Sequence, residues 1–133
     1  MACSRRRYKQ YGTNRICIDM KYTIDATEKK IGRVASEAAA MLMGKNVPSY
    51  ERHRTPEVEV HIVNASKVNV SEKKRTTKVY SRYSGYPGGL HHEAMEEVIK
   101  KKGYTELFRK AVYGMLPSNK LRSRMMKRLV IIE

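Results

Sequence analysis

Residues 20–63 read MKYTIDATEKKIGRVASEAAAMLMGKNVPSYERHRTPEVEVHIV, and the hydrophobic period changes twice along them. At the start, Tyr22 and Ile24 alternate with Lys21, Thr23 and Asp25, the two-residue period of a strand with one buried face. Ile31, Val34, Ala35, Ala38 and Leu42 then follow the stripe of a helix packed on one side. Thr27 or a neighbour is placed to cap its start, and Gly44 to end it. Pro48 and Pro56 bracket a basic loop with Tyr50, Arg52, His53 and Arg54, after which Val58, Val60 and Ile62 alternate with Glu59 and His61. Strand, helix and strand in succession predict a right-handed crossover joining a parallel pair. The expected class is α/β.

Toward the C-terminus, Val68 and Val70 fit a short strand, and the run Ser71 to Lys78 carries Lys73, Lys74, Arg75 and Lys78 with no acid after Glu72. Val79, Tyr80, Arg82 and Tyr83 lead into Ser84-Gly85-Tyr86-Pro87-Gly88-Gly89-Leu90, a segment no helix survives. Residues 93–102 predict a short helix, acidic at its start and basic at its end as the dipole favours, stopping at Gly103. A second helix from about Thr105 buries Leu107, Phe108, Ala111, Val112 and Met115 and closes at Pro117. Ser118 or Asn119 can cap a third, in which Leu121, Met125 and Leu129 recur at four-residue steps. Val130, Ile131 and Ile132 finish as a short apolar strand.

The length, 133 residues, allows one core but not two ordinary domains. Residues 20–133 are expected to form that domain. Residues 1–19 carry Arg5, Arg6, Arg7, Lys9 and Arg15 without periodicity and read as a flexible basic extension. Three readings compete for it: a tail lying along RNA phosphates, an Arg-rich targeting segment, or an upstream stretch absent from a mature protein that starts at Met20. The last is favoured. Cys3 and Cys17 both fall there without CxxC spacing, so a disulfide framework or zinc module has little support.

Composition points to a partner. Twenty-eight Lys and Arg against 13 Asp and Glu give a net charge of +15, and self-repulsion of that size opposes compaction unless a polyanion offsets it. No stretch approaches the roughly 20 apolar residues of a membrane span, and an intracellular, soluble protein with no membrane partner is expected.

Three acid-free clusters, at 73–82, 120–128 and 5–9, carry the nucleic-acid signal, because Lys and Arg near phosphates release condensed counterions. A solvated charged face is the bland reading of any one of them. In the Gly-rich loop, Gly85, Gly88 and Gly89 let backbone approach another chain or a phosphate closely, while Tyr83 and Tyr86 offer flat surfaces to a base or ribose; the alternative is a tight turn with its tyrosines packed on the core. The segment fits neither a P-loop nor a dinucleotide loop. Lys29, Lys30 and Arg33 near the first helix's start are a further plausible phosphate contact. His91 and His92 are adjacent and their side chains diverge, against a shared metal, and no nucleophile elbow or paired-carboxylate arrangement is present.

Five segments together resemble a known family. They are Tyr22-Thr23-Ile24-Asp25-Ala26-Thr27, Ile31-Gly32-Arg33-Val34-Ala35, Met43-Gly44-Lys45-Asn46, Tyr83 to Leu90, and Ala111-Val112-Tyr113-Gly114-Met115-Leu116-Pro117, with Val63 to Val68 continuing the match. In this order, over about Met20 to Leu129, they resemble the bacterial ribosomal protein L13 family. Glu28 stands where a glycine is common, and Arg122-Ser123 replaces a frequent Gly-Arg pair.

The resemblance implies a three-layer α/β/α fold with a small, mainly parallel four-stranded sheet. It also implies a non-catalytic constituent of the large ribosomal subunit that binds rRNA, supports early assembly and translation, and meets neighbouring ribosomal proteins. No cofactor, metal or small-molecule substrate is expected. The residues expected at rRNA are Lys73, Lys74, Arg75, Lys78 and Arg82 with Tyr83, Tyr86, Gly88 and Gly89, then Arg52, Arg54, Lys120, Arg122, Arg124, Lys127 and Arg128, with Arg33 and Lys45 beside them. The competing readings are a small nucleic-acid-processing enzyme using His91 or His92, and a DNA-binding regulator.

Overall fold

The computed structural model describes residues 20–48 and 50–133. The expected extension at 1–19, with Cys3 and Cys17, lies outside the described residues. In chain order the elements are β1 (Met20–Asp25), α1 (Ile31–Met43), β2 (Val58–Val63), α2 (Glu72–Thr77), β3 (Val79–Tyr83), β4 (Leu90–Ala94), α3 (Met95–Met115), α4 (Arg122–Met126) and β5 (Leu129–Ile131).

β1 and β2 pair in parallel with Tyr22 opposite Val60 and Ile24 opposite Ile62, and β5 joins the other edge of β2 with Leu129 opposite Val60. The order β1-β2-β5 means both crossovers step the same way across the sheet. Right-handed crossovers that step the same way lay their helices on the same face. Burial agrees. Ile24, Val58, Val60, Ile62 and Leu129 enter one core with Val34, Ala35, Ala38 and Leu42 of α1 and Leu107, Phe108 and Val112 of α3. Lys21, Thr23, Asp25, Glu59 and Val130, which alternate with the core residues, are exposed. Each large side chain fully buried here contributes roughly 1.5–3 kcal/mol, and the alanines of α1 let that helix lie close to the sheet.

The expected four-stranded, three-layer arrangement is not seen among the described residues. The parallel sheet has three strands, and β3 and β4 form a separate antiparallel pair. Val68 and Val70 flank a single parallel bridge between Asn69 and Lys30. The mixed α/β class and the mainly parallel sheet stand.

Two joints hold the C-terminal ends of the strands. Thr27 does not cap α1; its backbone N–H and hydroxyl donate to the Asp25 carboxylate at 3.0 and 2.7 Å, and the Asn64 amide adds a bond at 3.1 Å. The Thr27 bonds, with Asn64 helping, hold the Asp25 carboxyl at about 2. The second joint is at Gly103, where φ of +72° and ψ of −174° break α3 into the two helices expected from the sequence. The new N-terminus is met by Glu133, whose carboxylate accepts from the Thr105 N–H at 3.0 Å and hydroxyl at 2.8 Å. A Cβ at Gly103 would stand 2.7 Å from that carboxylate, a flexible side-chain end that can shift, so it is the backbone conformation that requires glycine there.

Candidate nucleic-acid interface

Residues 72–77 form a one-and-a-half-turn helix with no buried side chain. Glu72 sits in its first turn, favourable to the dipole, and Lys73, Lys74 and Arg75 are all exposed. Lys78 ends the helix and ties it to the next elements, since its carbonyl accepts from Met95 N–H at 2.8 Å. The first cluster is thus mounted against the start of α3.

β3 and β4 pair with Tyr80 opposite Glu93, Arg82 opposite His91 and Tyr83 opposite Leu90. Because side chains alternate across a strand, Tyr80, Arg82, His91 and Glu93 share one face, and Val79, Ser81, Tyr83, Leu90, His92 and Ala94 the other. Arg82 and Tyr83, expected to act side by side, lie on opposite faces of the hairpin. The tip is closed by Ser84 N–H to Gly89 O at 3.1 Å and Gly89 N–H to Tyr86 O at 3.0 Å. A side chain at Gly89 would collide with the Ser84 hydroxyl. Tyr83 and Tyr86 are 63% and 75% exposed, which rejects the alternative that they pack on the core.

The second group divides. Arg52, Arg54, Lys120, Arg124 and Lys127 are exposed, while Arg122 and Arg128 are half-buried. The Arg122 guanidinium lies 4.5 Å from the Tyr113 ring centre, and it donates to Pro117 O at 2.9 Å and Leu116 O at 3.0 Å. It fastens the end of α3 to α4. Arg33 and Lys45 are exposed beside opposite ends of α1, roughly 20 Å apart by helical rise, and do not share a contact.

Ion pairing separates the cations further. Lys21 pairs with Glu59 at 3.6 Å, Lys100 with Glu96 at 2.9 Å, Lys101 with Glu97 at 3.7 Å and Arg109 with Glu106 at 3.7 Å. Among the described residues, no cation in the 73–82 or 120–128 clusters has a carboxylate within 4.0 Å. Arg122 is instead committed to the Leu116 and Pro117 carbonyls and to Tyr113.

The sequence did not single out Tyr80, Lys102, Lys110 or Tyr113, yet these line a groove of about 890 Å³ between the inner hairpin face and α3. Tyr80 is half-buried, with Lys110 Nζ 4.6 Å and Lys78 Nζ 5.3 Å from its ring centre. Burial pushes its phenol up, keeping the hydroxyl neutral at physiological pH. Strand alternation from Val79 would have paired Tyr80 with Arg82; the approach of Lys110, thirty residues on, has no local signature.

The shifted carboxyls, Asp25, Glu96 and Glu133, are all held low by hydrogen bonds, the opposite of a poised general acid. Among the described residues, no group of three or more His, Cys, Asp or Glu is placed to hold a metal, and His91 and His92 point to opposite faces of β4. No helix there is long and apolar enough to cross a membrane.

Cations without carboxylate partners thus stand exposed beside exposed tyrosines and a closed glycine loop, on a small mixed α/β domain. Comparison with known proteins then supplies the family. The family model described as Ribosomal protein L13 matches residues 19–133. The protein named large ribosomal subunit protein uL13 of Rubrobacter xylanophilus is 42% identical over 110 residues, 83% of this chain and 76% of that one. The protein of the same name from Natranaerobius thermophilus is 44% identical over 110 residues, with the same two coverages, 83% and 76%. The one from Symbiobacterium thermophilum is 40% identical over 124 residues, 92% of this chain and 86% of that one. The chain belongs to the ribosomal protein L13 family, a family of ribosomal proteins and not of enzymes.

Proposed function

We propose that this chain is a structural constituent of the large ribosomal subunit that binds rRNA and supports early subunit assembly and translation. In this reading residues 20–133 are one ribosomal domain with 1–19 as a basic extension, working in a cytoplasmic ribosome beside neighbouring large-subunit proteins. The observation that carries it is the unpaired cluster Lys73, Lys74, Arg75, Lys78 and Arg82, exposed beside the hairpin of Tyr83 and Tyr86. Cations without internal counterions gain most from phosphates, whose condensed counterions they displace. Arg52, Arg54, Lys120, Arg124 and Lys127 form the second contact. Arg33 and Lys45 make separate ones, and Arg122 and Arg128 add charge at the second contact, Arg122 also bracing its frame. Gly88 and Gly89 bring the hairpin tip close to RNA backbone.

Sedimentation of a lysate through a gradient tests this reading. The chain is expected in large-subunit fractions and in their early precursors; its absence from both would reject the proposal.

A further inference from the structure

Three hollows adjoin along the molecule. The smallest, about 240 Å³, lies by Lys30, Asn69 and Lys74; the next, about 330 Å³, shares Ile31 and Lys74 with it; and the 890 Å³ groove under the hairpin shares Tyr80 and Lys110 with the second. Shared lining residues set the three in a row, a trough of adjoining hollows from the start of α1 past α2 and Tyr80 to the inner hairpin face. Lys30, Lys74, Lys78, Lys110, Arg82 and Lys102 border it in turn, and none of them has a carboxylate within 4.0 Å among the described residues. Glu93 and Glu106 are its lining carboxylates, both in the large groove, and Glu106 is paired with Arg109.

From this arrangement we infer that the trough seats an unpaired strand of RNA, with bases stacking at Tyr80 and Tyr113 and phosphates tracked by the bordering cations. The inference rests on the rRNA-binding reading and specifies its mode. A line of cations beside a recessed ring, Tyr80, and an exposed one, Tyr113, is an arrangement suited to single strands. Paired bases keep their faces stacked inside the duplex, so a ring sunk in a groove, as Tyr80 is, receives only a base freed from its partner. A basic protein tail is disfavoured by the same charges. The groove also falls in the range of roughly 300–1,000 Å³ that encloses small ligands, room for a nucleoside.

The test uses the full chain and two labelled probes, a single-stranded oligoribonucleotide of about 12 nucleotides and a duplex of equal length. The strand is expected to bind more tightly than the duplex. Tyr80→Ala is expected to weaken the strand about tenfold while changing the duplex less than about twofold, and Tyr80→Phe to retain binding. Lys74→Ala with Lys110→Ala should lower the salt slope for the strand by about 1.4, two single-strand phosphates. Melting curves identify any variant that fails to fold, and Lys110→Gln then substitutes for Tyr80→Ala with the same expectation for the strand. Equal losses on both probes, or preference for the duplex, would overturn the trough. So would cross-links in intact large subunits joining residues 102–113 to another protein and not to RNA. Binding to whole large-subunit rRNA, measured alongside, separates the two ideas: rRNA bound equally by wild type and Tyr80→Ala defeats the trough alone, whereas rRNA left unbound by wild type defeats the proposed function as well.

Discussion

Replacing Lys73, Lys74 and Lys78 with alanine is expected to change how steeply rRNA affinity falls with salt. These three ammonium groups have no carboxylate within 4.0 Å among the described residues, so each is free to displace a counterion from a phosphate. At about 0.7 to 0.9 log units per phosphate, their loss should lower the slope of log affinity against log salt by about 2.1 to 2.7. Between 50 and 200 mM salt, wild type should then lose roughly 20- to 40-fold more affinity than the variant. The matched control is Lys21, Lys100 and Lys101 to alanine, an equal change in net charge at groups already paired with Glu59, Glu96 and Glu97. Its slope should shift by less than one contact, about 0.7. Fluorescence anisotropy of a labelled large-subunit rRNA fragment across a salt titration measures both. Alanine suits α2 and keeps its helix, which circular dichroism checks. If the two triple variants lose equal slope, net charge alone governs binding and the argument from pairing is refuted.

Arg122→Lys should lower unfolding stability by about 2 kcal/mol, because an ammonium cannot stack on Tyr113 while serving the Leu116 and Pro117 carbonyls; thermal melts measure it, and unchanged stability would remove its bracing role. Glu28→Gly should stabilise by about 0.5 to 1 kcal/mol, since Glu28 holds φ of +57°, a conformation that costs a side-chain-bearing residue more than it costs glycine; urea unfolding with an unchanged m-value is the check. The Asp25 carboxyl is lowered from its ordinary 3.8 to about 2, so its stabilising bonds are intact above pH 4 and are lost as pH falls through 2. The acid-side decline of the melting temperature over that window should be shallower in Asp25→Asn, and an identical decline would exclude Asp25 as its source.

The parts of the fold legible in the sequence are those whose burial is one-sided. Ile24, Val60 and Ile62 face the same core as Val34, Ala38 and Leu42, and a single buried face writes its period directly into the chain. The break at Gly103 was legible because glycine punctuates a helix. Elements without a buried face were not. α2 has no buried residue, hence no stripe to read. β4 is Leu-His-His-Glu-Ala, a run without β-branched or aromatic residues that is a strand because β3 supplies its partner. Leu129, four residues beyond Met125, fits the helical step but is drawn into the sheet opposite Val60. The same limit governs the site. Charge clusters are properties of composition and could be named, whereas their freedom from carboxylates, the splitting of Arg82 from Tyr83 across the hairpin and the approach of Lys110 to Tyr80 depend on tertiary placement.

Pairing also explains why basic residues of one type do different work in this chain. In the first half of α3, Glu96 and Glu97 stand four residues before Lys100 and Lys101, so the helix neutralises itself and adds a few tenths of a kcal/mol per pair to its own stability. In α2 the acid precedes the cations without pairing to them, and the short helix presents Lys73, Lys74 and Arg75 on a segment that buries nothing. A surface element that neither fills the core nor balances its charge costs the free protein self-repulsion. If the proposed rRNA contact is made at α2, phosphates relieve that cost by occupying the positions that carboxylates leave empty, which ties the self-repulsion of this short helix to the proposed binding surface.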